Sequence, residues 1–377
     1  MTGRTILLGV TSPVSLTLME GWPGHLARQG WDVHVVSGPG GALEGLDLLE
    51  ADVTVHPVSM RRDPAPLRDL AGLVNWIRVL RRVRPDVVMI GTPKAALLGL
   101  FAAFLTGVPV RVYLLRGLRS ETIAGLPGSV LRTLERVSSA CSHIVVAVSE
   151  SLAAAYVDQG LARSEKVVVI GRGSSNGVDL DRFRPREDGG REPRRVVVGF
   201  IGRLTLDKGL LDLAEAERLL VERQVDHALL IVGGLDTRGS HGQTWPSGAD
   251  VTETGHLDDV TRVLEEIDVL VLPTHREGFP NVVLEASAAG VPVVTTDATG
   301  AVDSVLHQHT GLVIPAHDPV ALADALESLA SDAGLRRDMG RAGRHFVEEF
   351  YDQERVWMAM ESFLSDRLRG RSWSPTR

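Results

Sequence analysis

Short apolar strands alternate with helical segments along nearly the whole chain, and this alternation constrains the fold more than any other feature. The first cycle is a strand at Thr5–Val10, a helix over Leu16–Gln29 and a strand at Asp32–Val36. Parallel strands need crossover connections, which helices usually supply, so the pattern predicts βαβ units. We therefore expect parallel sheets covered by helices on both faces.

The pattern fills the first half of the chain. Further strands are predicted at 53–55, 87–90, 110–115, 143–148 and 167–170, and helices at 67–82, 94–105, 129–139 and 151–159. The longest apolar run, Ala95–Val110, is interrupted by polar and turn-forming residues and is too short to span a bilayer. It predicts a buried helix that runs into a strand.

The pattern restarts after a polar segment that contains Pro and Gly, residues 184–193, which is typical of a linker. Beyond it, strands are predicted at 196–201, 228–232, 251–254, 269–272, 291–296 and 311–314, and helices at 210–223, 258–266, 281–289, 319–330 and 353–369. We therefore predict two tandem Rossmann-like, doubly wound α/β domains, 1–185 and 186–350. Such domains bind ligands beyond the carboxyl ends of their strands, so two facing domains would form a cleft.

Composition narrows the class of protein. The only cysteine, Cys141, allows no intramolecular disulfide and no cysteine-based zinc site, which favours the cytosol. Residues 1–185 carry 20 Lys or Arg and 16 Asp or Glu, whereas residues 186–377 carry 20 and 32. The basic half fits either an anionic partner surface or simple compositional drift. A pI of about 5.9, without a basic stripe that contains aromatic residues, argues against nucleic-acid binding.

The segment Leu272–Glu285 is the richest in chemistry. A strand ends at Leu272, and the following helix is expected to begin near Phe279, with Pro280 in its first turn. The first N–H groups of that helix, at residues 281–283, would then form an anion site suited to a diphosphate. Gly278 lets the backbone approach a ligand closely.

Two carboxylates flank this helix start. Glu277 lies before the helix and Glu285 lies within it, and carboxylates accept hydrogen bonds from the vicinal hydroxyls of sugar and ribose rings. The alternative is a loop charge at Glu277 and a solvated helix face at Glu285. Glu285 lies in an otherwise apolar stretch, where an unpaired charge is costly, and this favours the functional interpretation.

A second segment, Phe200–Gly209, places Arg203 and Lys208 between a strand end and a helix. Two cations at this position can neutralise a leaving diphosphate, which would remove the need for a divalent metal. Alone, the segment would suggest two surface cations. Its combination with the Glu277 segment in one domain favours a shared site.

These motifs resemble the retaining family 4 glycosyltransferases, which have the GT-B fold. The resemblance rests on Gly202–Leu204 with Asp207–Gly209, and on the Glu-x7-Glu pair of Glu277 and Glu285. It extends over most of the chain and is strongest in the C-terminal half. The run Gly173–Asp179 resembles the subgroup that acts on lipid-linked sugars for capsules, O-antigens and related envelope glycans.

The resemblance implies a retaining, metal-independent transferase without a cofactor. The donor, expected to be a UDP-sugar such as a UDP-N-acetylhexosamine, would bind the C-terminal domain. The acceptor, lipid-phosphate-linked or another glycan precursor, would bind the N-terminal domain, onto which the final helix, 351–377, crosses back. Front-face attack would retain the anomeric configuration, with the leaving phosphate taking the acceptor proton.

Site residues follow from the same resemblance. Arg203 and Lys208 would bind the donor diphosphate and stabilise its departure, Glu277 would contact the donor sugar, and Glu285 would hold the ribose hydroxyls. The other implied donor-binding residues are Gly202, Gly255, His256, Leu257, Gly278, Phe279, Pro280, Asn281 and Val282.

Two positions depart from the family pattern on the acceptor side. Many relatives have a glycine-rich loop after the first strand, whereas this chain has Thr11–Ser15, so Ser15 would take over hydrogen bonding there. Many relatives also carry a histidine after the strand that ends at Leu115, where this chain has Arg116. An arginine cannot act as a base but can bind a phosphate, which favours a phosphate-bearing acceptor. The alternative for Arg116 is a surface charge at a strand end.

Other functions fit parts of the pattern. A glycosyltransferase for a small natural product would keep the donor site and lack a lipid acceptor. A non-catalytic nucleotide-sugar-binding protein would not need the complete set of Arg203, Lys208, Glu277 and Glu285, and an epimerase would need a base that the sequence does not offer. The sequence leaves open the sugar and whether the base is uracil or guanine.

Membrane contact is a further expectation. The basic amphipathic stretch Asn75–Arg84, with Arg61 and Arg62 nearby, suits either an anionic lipid surface or an ordinary solvated helix face. Together with a lipid-linked acceptor, this predicts a cytoplasmic enzyme that contacts the inner face of the membrane peripherally.

Overall fold

A computed structural model gives the fold of this chain. It describes residues 4–40, 52–60, 65–123, 125–186, 195–234 and 245–370. The predicted basic pair Arg61 and Arg62 and most of the predicted linker lie outside these ranges.

The chain divides into two compact units. One contains Met1–Asn176 and Glu354–Arg377, and the other contains Gly177–Gln353. The first boundary lies nine residues before the expected one at 185/186, because Val178 N–H donates to the Tyr351 carbonyl at 2.9 Å and its own carbonyl accepts from the Gln353 N–H at 3.1 Å. These bonds tie the segment after Asn176 to the end of the second unit.

The first unit is built on a seven-stranded parallel sheet with strand order β3-β2-β1-β4-β5-β6-β7. Its strands are β1 (Arg4–Gly9), β2 (Trp31–Ser37), β3 (Val53–Pro57), β4 (Val87–Gly91), β5 (Val110–Leu115), β6 (Ile144–Ala147) and β7 (Val167–Val169). Its helices are α1 (Trp22–Arg28), α2 (Pro66–Val83), α3 (Pro93–Leu105), α4 (Gly125–Cys141), α5 (Glu150–Asp158) and α11 (Gln353–Leu368), the last beginning at the unit boundary. Right-handed crossovers place α2 to α5 on one face of this sheet.

The run 95–110 forms α3 and leads into β5, as predicted. Every residue of β4 is buried, and α3 is buried along most of its length. This explains why its apolar residues show no amphipathic pattern. Among the residues that the structure describes, no helix combines the length and the apolar composition needed to cross a bilayer.

The prediction of one continuous helix over Leu16–Gln29 is wrong, because the chain interrupts the helix at Gly21. A 3-10 helix spans Pro13–Met19 and α1 begins at Trp22. Gly21 has φ +76°, and a Cβ there would lie 2.4 Å from the Trp357 ring. The break therefore depends on a side chain more than 300 residues away.

The second unit contains a six-stranded parallel sheet with strand order β10-β9-β8-β11-β12-β13. Its strands are β8 (Val196–Ile201), β9 (His227–Val232), β10 (Val251–Gly255), β11 (Val269–Leu272), β12 (Val293–Thr296) and β13 (Gly311–Ile314). Its helices are α6 (Leu210–Glu222), α7 (Thr261–Glu266), α8 (Asn281–Ala288), α9 (Pro319–Ser331) and α10 (Ala333–Phe350). The two sheets confirm the predicted pair of Rossmann-like domains.

Helix α10 was not predicted, although it is one of the two longest described helices. Its interior contains Gly340 and Gly343, and each interior glycine costs a helix about 1 kcal/mol relative to alanine. Packing explains the first of them, since a Cβ at Gly340 would lie 2.0 Å from the Gly290 carbonyl oxygen at the end of α8. Close contact with α8 thus outweighs weak intrinsic propensity.

Candidate functional site

The two segments predicted to carry the chemistry meet at the centre of the second sheet. The strands β8 and β11 are hydrogen-bonded neighbours, and the strand order reverses direction between them. Residues 202–209 follow β8 and residues 273–280 follow β11, so both segments lie at the carboxyl edge. Open α/β sheets bind ligands at such a switch point.

The two loops are packed backbone to backbone. Gly209 has φ +71°, and a Cβ there would lie 1.8 Å from the Pro273 carbonyl oxygen. The Asp207 carbonyl accepts hydrogen bonds from the His275 N–H at 2.9 Å and from the Thr274 hydroxyl at 3.0 Å. These contacts fix the register of one loop against the other.

Lys208 and Glu277 form an ion pair across this junction. Their side chains are 14% and 13% exposed, so both charges are largely withdrawn from water. The Glu277 N–H donates to the Thr299 carbonyl at 2.8 Å, which anchors the loop on the next strand connection. The structure thus brings together two of the residues proposed from the sequence.

Asp207 and Arg276, neither of which was proposed as a site residue from the sequence, extend this charge cluster. The Arg276 guanidinium pairs with Asp207 at 3.0 Å. Partial burial alone would raise the pKa of Asp207, but the Thr205 hydroxyl and the charges of Arg276, Lys208 and Arg203 together lower it below its usual value. No sequence pattern marked Arg276 except its position directly before Glu277.

The cluster formed by Arg203, Lys208, Arg276, Asp207 and Glu277 thus contains three cations and two carboxylates. Arg203 is exposed, whereas Lys208 and Arg276 are half-buried beside their partners. The cluster carries a net positive charge, which suits a ligand with several negative oxygens.

Helix α8 begins at Asn281, the first residue of the helix predicted over 281–289. Pro280 is its N-cap, so the start lies two residues after Phe279, near which the first turn was expected. The Val283 N–H, expected to be unpaired, donates to the Pro280 carbonyl at 3.1 Å. The N–H groups of Asn281 and Val282 still precede the first intrahelical partner and can face an anion.

Glu285 lies in the middle of α8. Its side chain is half-buried between the fully buried residues Leu284 and Ala286. A freely solvated helix face, the alternative considered from the sequence, does not describe this position. Gly278 and Pro280 before the helix are also buried, and Phe279 packs on Tyr351 with ring centroids 5.3 Å apart.

The loop after β10 lies beside these segments. β10 extends one residue further than predicted, through Gly255, whose carbonyl accepts from the Gly233 N–H at 2.9 Å. A Cβ at Gly233 would in turn lie 1.8 Å from the Gly202 carbonyl oxygen. The adjacent His256 and Leu257 are exposed. The predicted donor-binding residues thus lie in neighbouring loops and in helix α8 at one sheet edge.

The first unit holds the two residues proposed for the acceptor side. Ser15 lies half-buried in the 3-10 helix after β1, with its hydroxyl 3.3 Å from that of Ser12. Just before this 3-10 helix in the chain, the Thr11 hydroxyl lies 2.8 Å from the Thr92 hydroxyl, and this contact links the ends of β1 and β4. This is the switch point of the first sheet.

Arg116, directly after β5, has a guanidinium that is only partly satisfied. Its Nη2 donates to the Leu18 carbonyl at 3.1 Å, but its buried Nε and Nη1 have no hydrogen-bond partner in the described part of the chain. Gly91 makes room for it, since a Cβ there would lie 2.9 Å from Nη1. Burial lowers the pKa of Arg116 to about 10, which leaves it charged at neutral pH. The residue as a whole is half-buried and its Nε and Nη1 atoms are shielded from water, so a surface charge at a strand end does not describe it.

Comparison with known proteins identifies the family. Residues 195–332 match the family described as "Glycosyl transferases group 1", and residues 22–173 match the "Glycosyl transferase 4-like domain". The chain is 35% identical over 379 residues to a capsular polysaccharide biosynthesis glycosyltransferase, CapM, of Staphylococcus aureus, covering 98% of this chain and 99% of the relative. This chain is a group 1 glycosyltransferase.

Other relatives agree with this assignment. This glycosyltransferase is 24% identical over 326 residues to the UDP-Gal:alpha-D-GlcNAc-diphosphoundecaprenol alpha-1,3-galactosyltransferase of Escherichia coli, over 82% of this chain and 83% of the relative. Its structure superposes on the sucrose-phosphate synthase of Thermosynechococcus elongatus with a TM-score of 0.80 and 18% identity, covering 97% and 100% of the two chains. The structural match supports the GT-B fold.

Proposed function

We propose that this glycosyltransferase moves a sugar from a UDP-sugar to a lipid-linked phosphate acceptor, with retention of configuration, in envelope glycan synthesis. The observation that carries the donor half is the cationic cluster of Arg203, Lys208 and Arg276 beside the start of α8 at the switch point. The names of the S. aureus and E. coli relatives support the capsule and lipid-linked setting.

In the proposed reaction, the cations hold the donor diphosphate. The bond between the sugar C1 and the β-phosphate oxygen breaks, while the acceptor oxygen forms a bond to C1 on the same face. The acceptor proton passes to the leaving diphosphate. Arg203 and Lys208 stabilise the charge that develops there, a role that a divalent ion performs in other transferases.

The carboxylates position the donor. Glu277 accepts hydrogen bonds from sugar hydroxyls, and its pairing with Lys208 aligns the two groups that meet the sugar and the diphosphate. Glu285 receives the ribose hydroxyls, and the exposed loop at His256 lies beside the base. The N–H groups of Asn281 and Val282 complete the phosphate contacts.

Arg116 supports a phosphate-bearing acceptor. A buried guanidinium with two unused donor atoms is unfavourable unless an anion completes its hydrogen bonds. A lipid-linked phosphate supplies oxygen acceptors of the required geometry. A neutral small-molecule acceptor would leave Nε and Nη1 without partners.

The face of the first unit formed by α2, α3 and α4 suits contact with an anionic membrane. Exposed arginines lie along α2 and directly after it, and exposed apolar side chains lie on all three helices. The arginines are Arg68, Arg78, Arg81, Arg82 and Arg84, and the apolar residues include Leu67, Leu70, Phe101, Phe104, Leu105, Leu126 and Val130. Basic residues attract anionic lipid while apolar side chains insert at the interface.

A donor panel with purified protein tests the first half of the proposal. UDP, UDP-glucose, UDP-N-acetylglucosamine, UDP-galactose and GDP-mannose are compared by thermal shift and then by transfer to a polyprenyl-diphosphate sugar in detergent, with NMR of the product anomer. We expect one UDP-sugar to raise the Tm and to be transferred with retention. Selective use of GDP-mannose, inversion, or transfer only to a soluble aglycone would each overturn the corresponding part.

Sedimentation with lipid vesicles tests membrane contact. Arg81→Glu with Arg82→Glu should weaken binding to anionic vesicles at least about tenfold, since each basic residue near the surface contributes about 1 kcal/mol. Arg337→Glu with Arg341→Glu makes the same charge change at exposed positions of α10 and should bind as the unaltered protein does. Equal losses in both pairs would indicate a general charge effect and contradict the proposed surface.

A further inference from the structure

Three metal-ligating side chains come together at the carboxyl edge of the second sheet. Asp212 lies in the first turn of α6, His275 in the loop after β11, and His317 in the loop after β13. One ligand atom from each lies within 4.8 Å of the others. The three residues are separated by 42 to 105 positions in sequence, so only the fold assembles them.

The local geometry holds these side chains in place. His275 Nε2 lies 2.6 Å from Asp212 Oδ2, and its backbone N–H is fixed on the Asp207 carbonyl. The His275 and His317 rings have centroids 3.7 Å apart. Two imidazoles and one carboxylate therefore converge, with His275 and Asp212 half-buried and His317 exposed.

His317 adopts a backbone conformation that is unusual for its residue type. Its φ is +63°, in the left-handed region. This conformation costs a non-glycine residue of order 1 kcal/mol and often marks a functional site. Here it precedes the Asp318 cap of α9 and brings the imidazole to His275.

The donor set selects one class of ligand. Imidazole nitrogens favour Zn²⁺, Co²⁺, Ni²⁺ and Cu²⁺, whereas Mg²⁺ and Ca²⁺ prefer oxygen ligands alone. In a tetrahedral zinc site, bond lengths near 2.1 Å separate ligand atoms by about 3.4 Å. The observed separations, from 2.6 Å to within 4.8 Å, bracket that value, so small side-chain rotations suffice.

We propose that Asp212, His275 and His317 bind a divalent transition-metal ion such as Zn²⁺, with water completing the coordination. The ion would cross-link the start of α6, the loop that leads to Glu277 and the loop before α9. It would thereby stabilise the carboxyl edge of the second sheet, where the donor is proposed to bind, from a position beside the donor contacts. The proposed sugar transfer does not use it, and its binding can be measured without any donor or acceptor.

Titration with Co²⁺ tests this proposal. Untagged full-length protein is freed of metal with a chelator and titrated with Co²⁺, whose visible absorption reports tetrahedral coordination by nitrogen and oxygen. Zn²⁺ then competes, and Mg²⁺ serves as a metal that should not. The test variants are His317→Asn and Asp212→Asn. Asparagine suits position 317 because it tolerates the left-handed backbone.

The matched control is His345→Asn. His345 is exposed on α10 and also has a carboxylate neighbour, Glu349 at 3.9 Å, but no second imidazole among the described residues. We expect unaltered protein and His345→Asn to bind Co²⁺ alike, and the two site variants to bind at least about tenfold more weakly. Far-ultraviolet circular dichroism verifies folding, and either site variant suffices if the other does not fold. Absence of the tetrahedral spectrum, or equal affinity in all folded variants, would overturn the site.

Discussion

The ammonium group of Lys208 pairs with the carboxylate of Glu277, although the two residues are 69 positions apart. The pair joins the loop after β8 to the loop after β11, where the strand order of the second sheet reverses. The lysine proposed to bind the diphosphate and the glutamate proposed to bind the sugar are thus held as one unit. Because the two charges are paired, single and double substitutions can distinguish the pair's contribution to stability from its contribution to catalysis.

Removing one partner should damage both properties, whereas removing both should damage only catalysis. Glu277→Gln or Lys208→Met leaves a largely buried charge without its partner and should cost about 1 to 3 kcal/mol of unfolding free energy. The double variant should regain most of that loss because neither charge remains. Transfer should fall at least about 100-fold in all three. Urea unfolding and initial rates provide the comparison, and a double variant with restored transfer would contradict the assigned roles.

Arg116 should affect the acceptor and not the donor. Arg116→Met removes the guanidinium beside Gly91 and should lower kcat/KM for a lipid-phosphate acceptor at least about tenfold, as expected for the loss of a charge-assisted phosphate contact. The thermal shift with UDP should not change, because Arg116 belongs to the other unit. Arg116→Lys keeps the charge but loses the fork of donors, so recovery should be partial. Equal losses with phosphate-bearing and neutral acceptors would exclude the proposed contact.

The central strands were predictable because they are largely buried on both faces and therefore appear as continuous apolar runs, whereas the edge strands β3 and β10 are mostly accessible to solvent. β5, β8, β11 and β13 begin and end where the sequence predicts. The two main errors, at Gly21 and in α10, have a common cause. Gly21 breaks a helix that the sequence predicts as continuous, and a Cβ there would clash with Trp357. Gly340 lies within a helix that glycine disfavours, and a Cβ there would clash with the Gly290 carbonyl. In both cases the reason for the glycine lies far away in the sequence.

The sequence predicted that the candidate segments meet at one sheet edge, but it did not show which of their residues are in contact. Lys208 was selected because a cation at a strand end can neutralise a diphosphate, and Glu277 because a carboxylate accepts hydrogen bonds from sugar hydroxyls. Nothing in the sequence specifies that the two side chains pair. Arg276 and Asp207 were missed because a surface ion pair and a site ion pair look alike in sequence. Convergence of His275 with His317 depends on which loops become neighbours, and this requires the strand order.

Two glycines of α10 should respond in opposite directions to alanine. At Gly340, the added Cβ would lie 2.0 Å from the Gly290 carbonyl oxygen, so Gly340→Ala should cost about 2 kcal/mol or more. At Gly343, the nearest atom would be 3.5 Å away, an ordinary contact. Gly343→Ala should therefore stabilise by up to about 1 kcal/mol through helix propensity. Chemical denaturation of both variants gives the comparison, and equal effects would show that helix packing does not decide the outcome.

Alanine substitutions at Gly21 and Gly30 distinguish the cost of backbone strain from the cost of a packing clash. Both have positive φ, +76° and +80°, but a Cβ at Gly21 would lie 2.4 Å from Trp357, whereas one at Gly30 would meet nothing within 4 Å. Gly30→Ala should cost about 1 kcal/mol, the strain alone. Gly21→Ala should cost about 1 to 3 kcal/mol more. Thermal unfolding measures both, and a matching loss would mean that Trp357 moves aside freely.

The buried carboxyl of Glu135 should make the stability of this glycosyltransferase fall as pH rises toward neutrality. Burial raises its pKa from 4.5 to about 7, even though hydrogen bonds from the Tyr113 and Tyr156 hydroxyls lower it in part. Between these two values the folded chain binds more protons than the unfolded chain, so the free energy of unfolding decreases with pH, by about 3 kcal/mol in total. Glu135→Gln keeps an oxygen acceptor for Tyr113 and cannot ionise. Urea unfolding at pH 5 and pH 8 gives the free energy of unfolding of both proteins. Relative to the unaltered protein, the variant should be more stable at pH 8 than at pH 5. The same difference at both pH values would show that Glu135 does not titrate in this range.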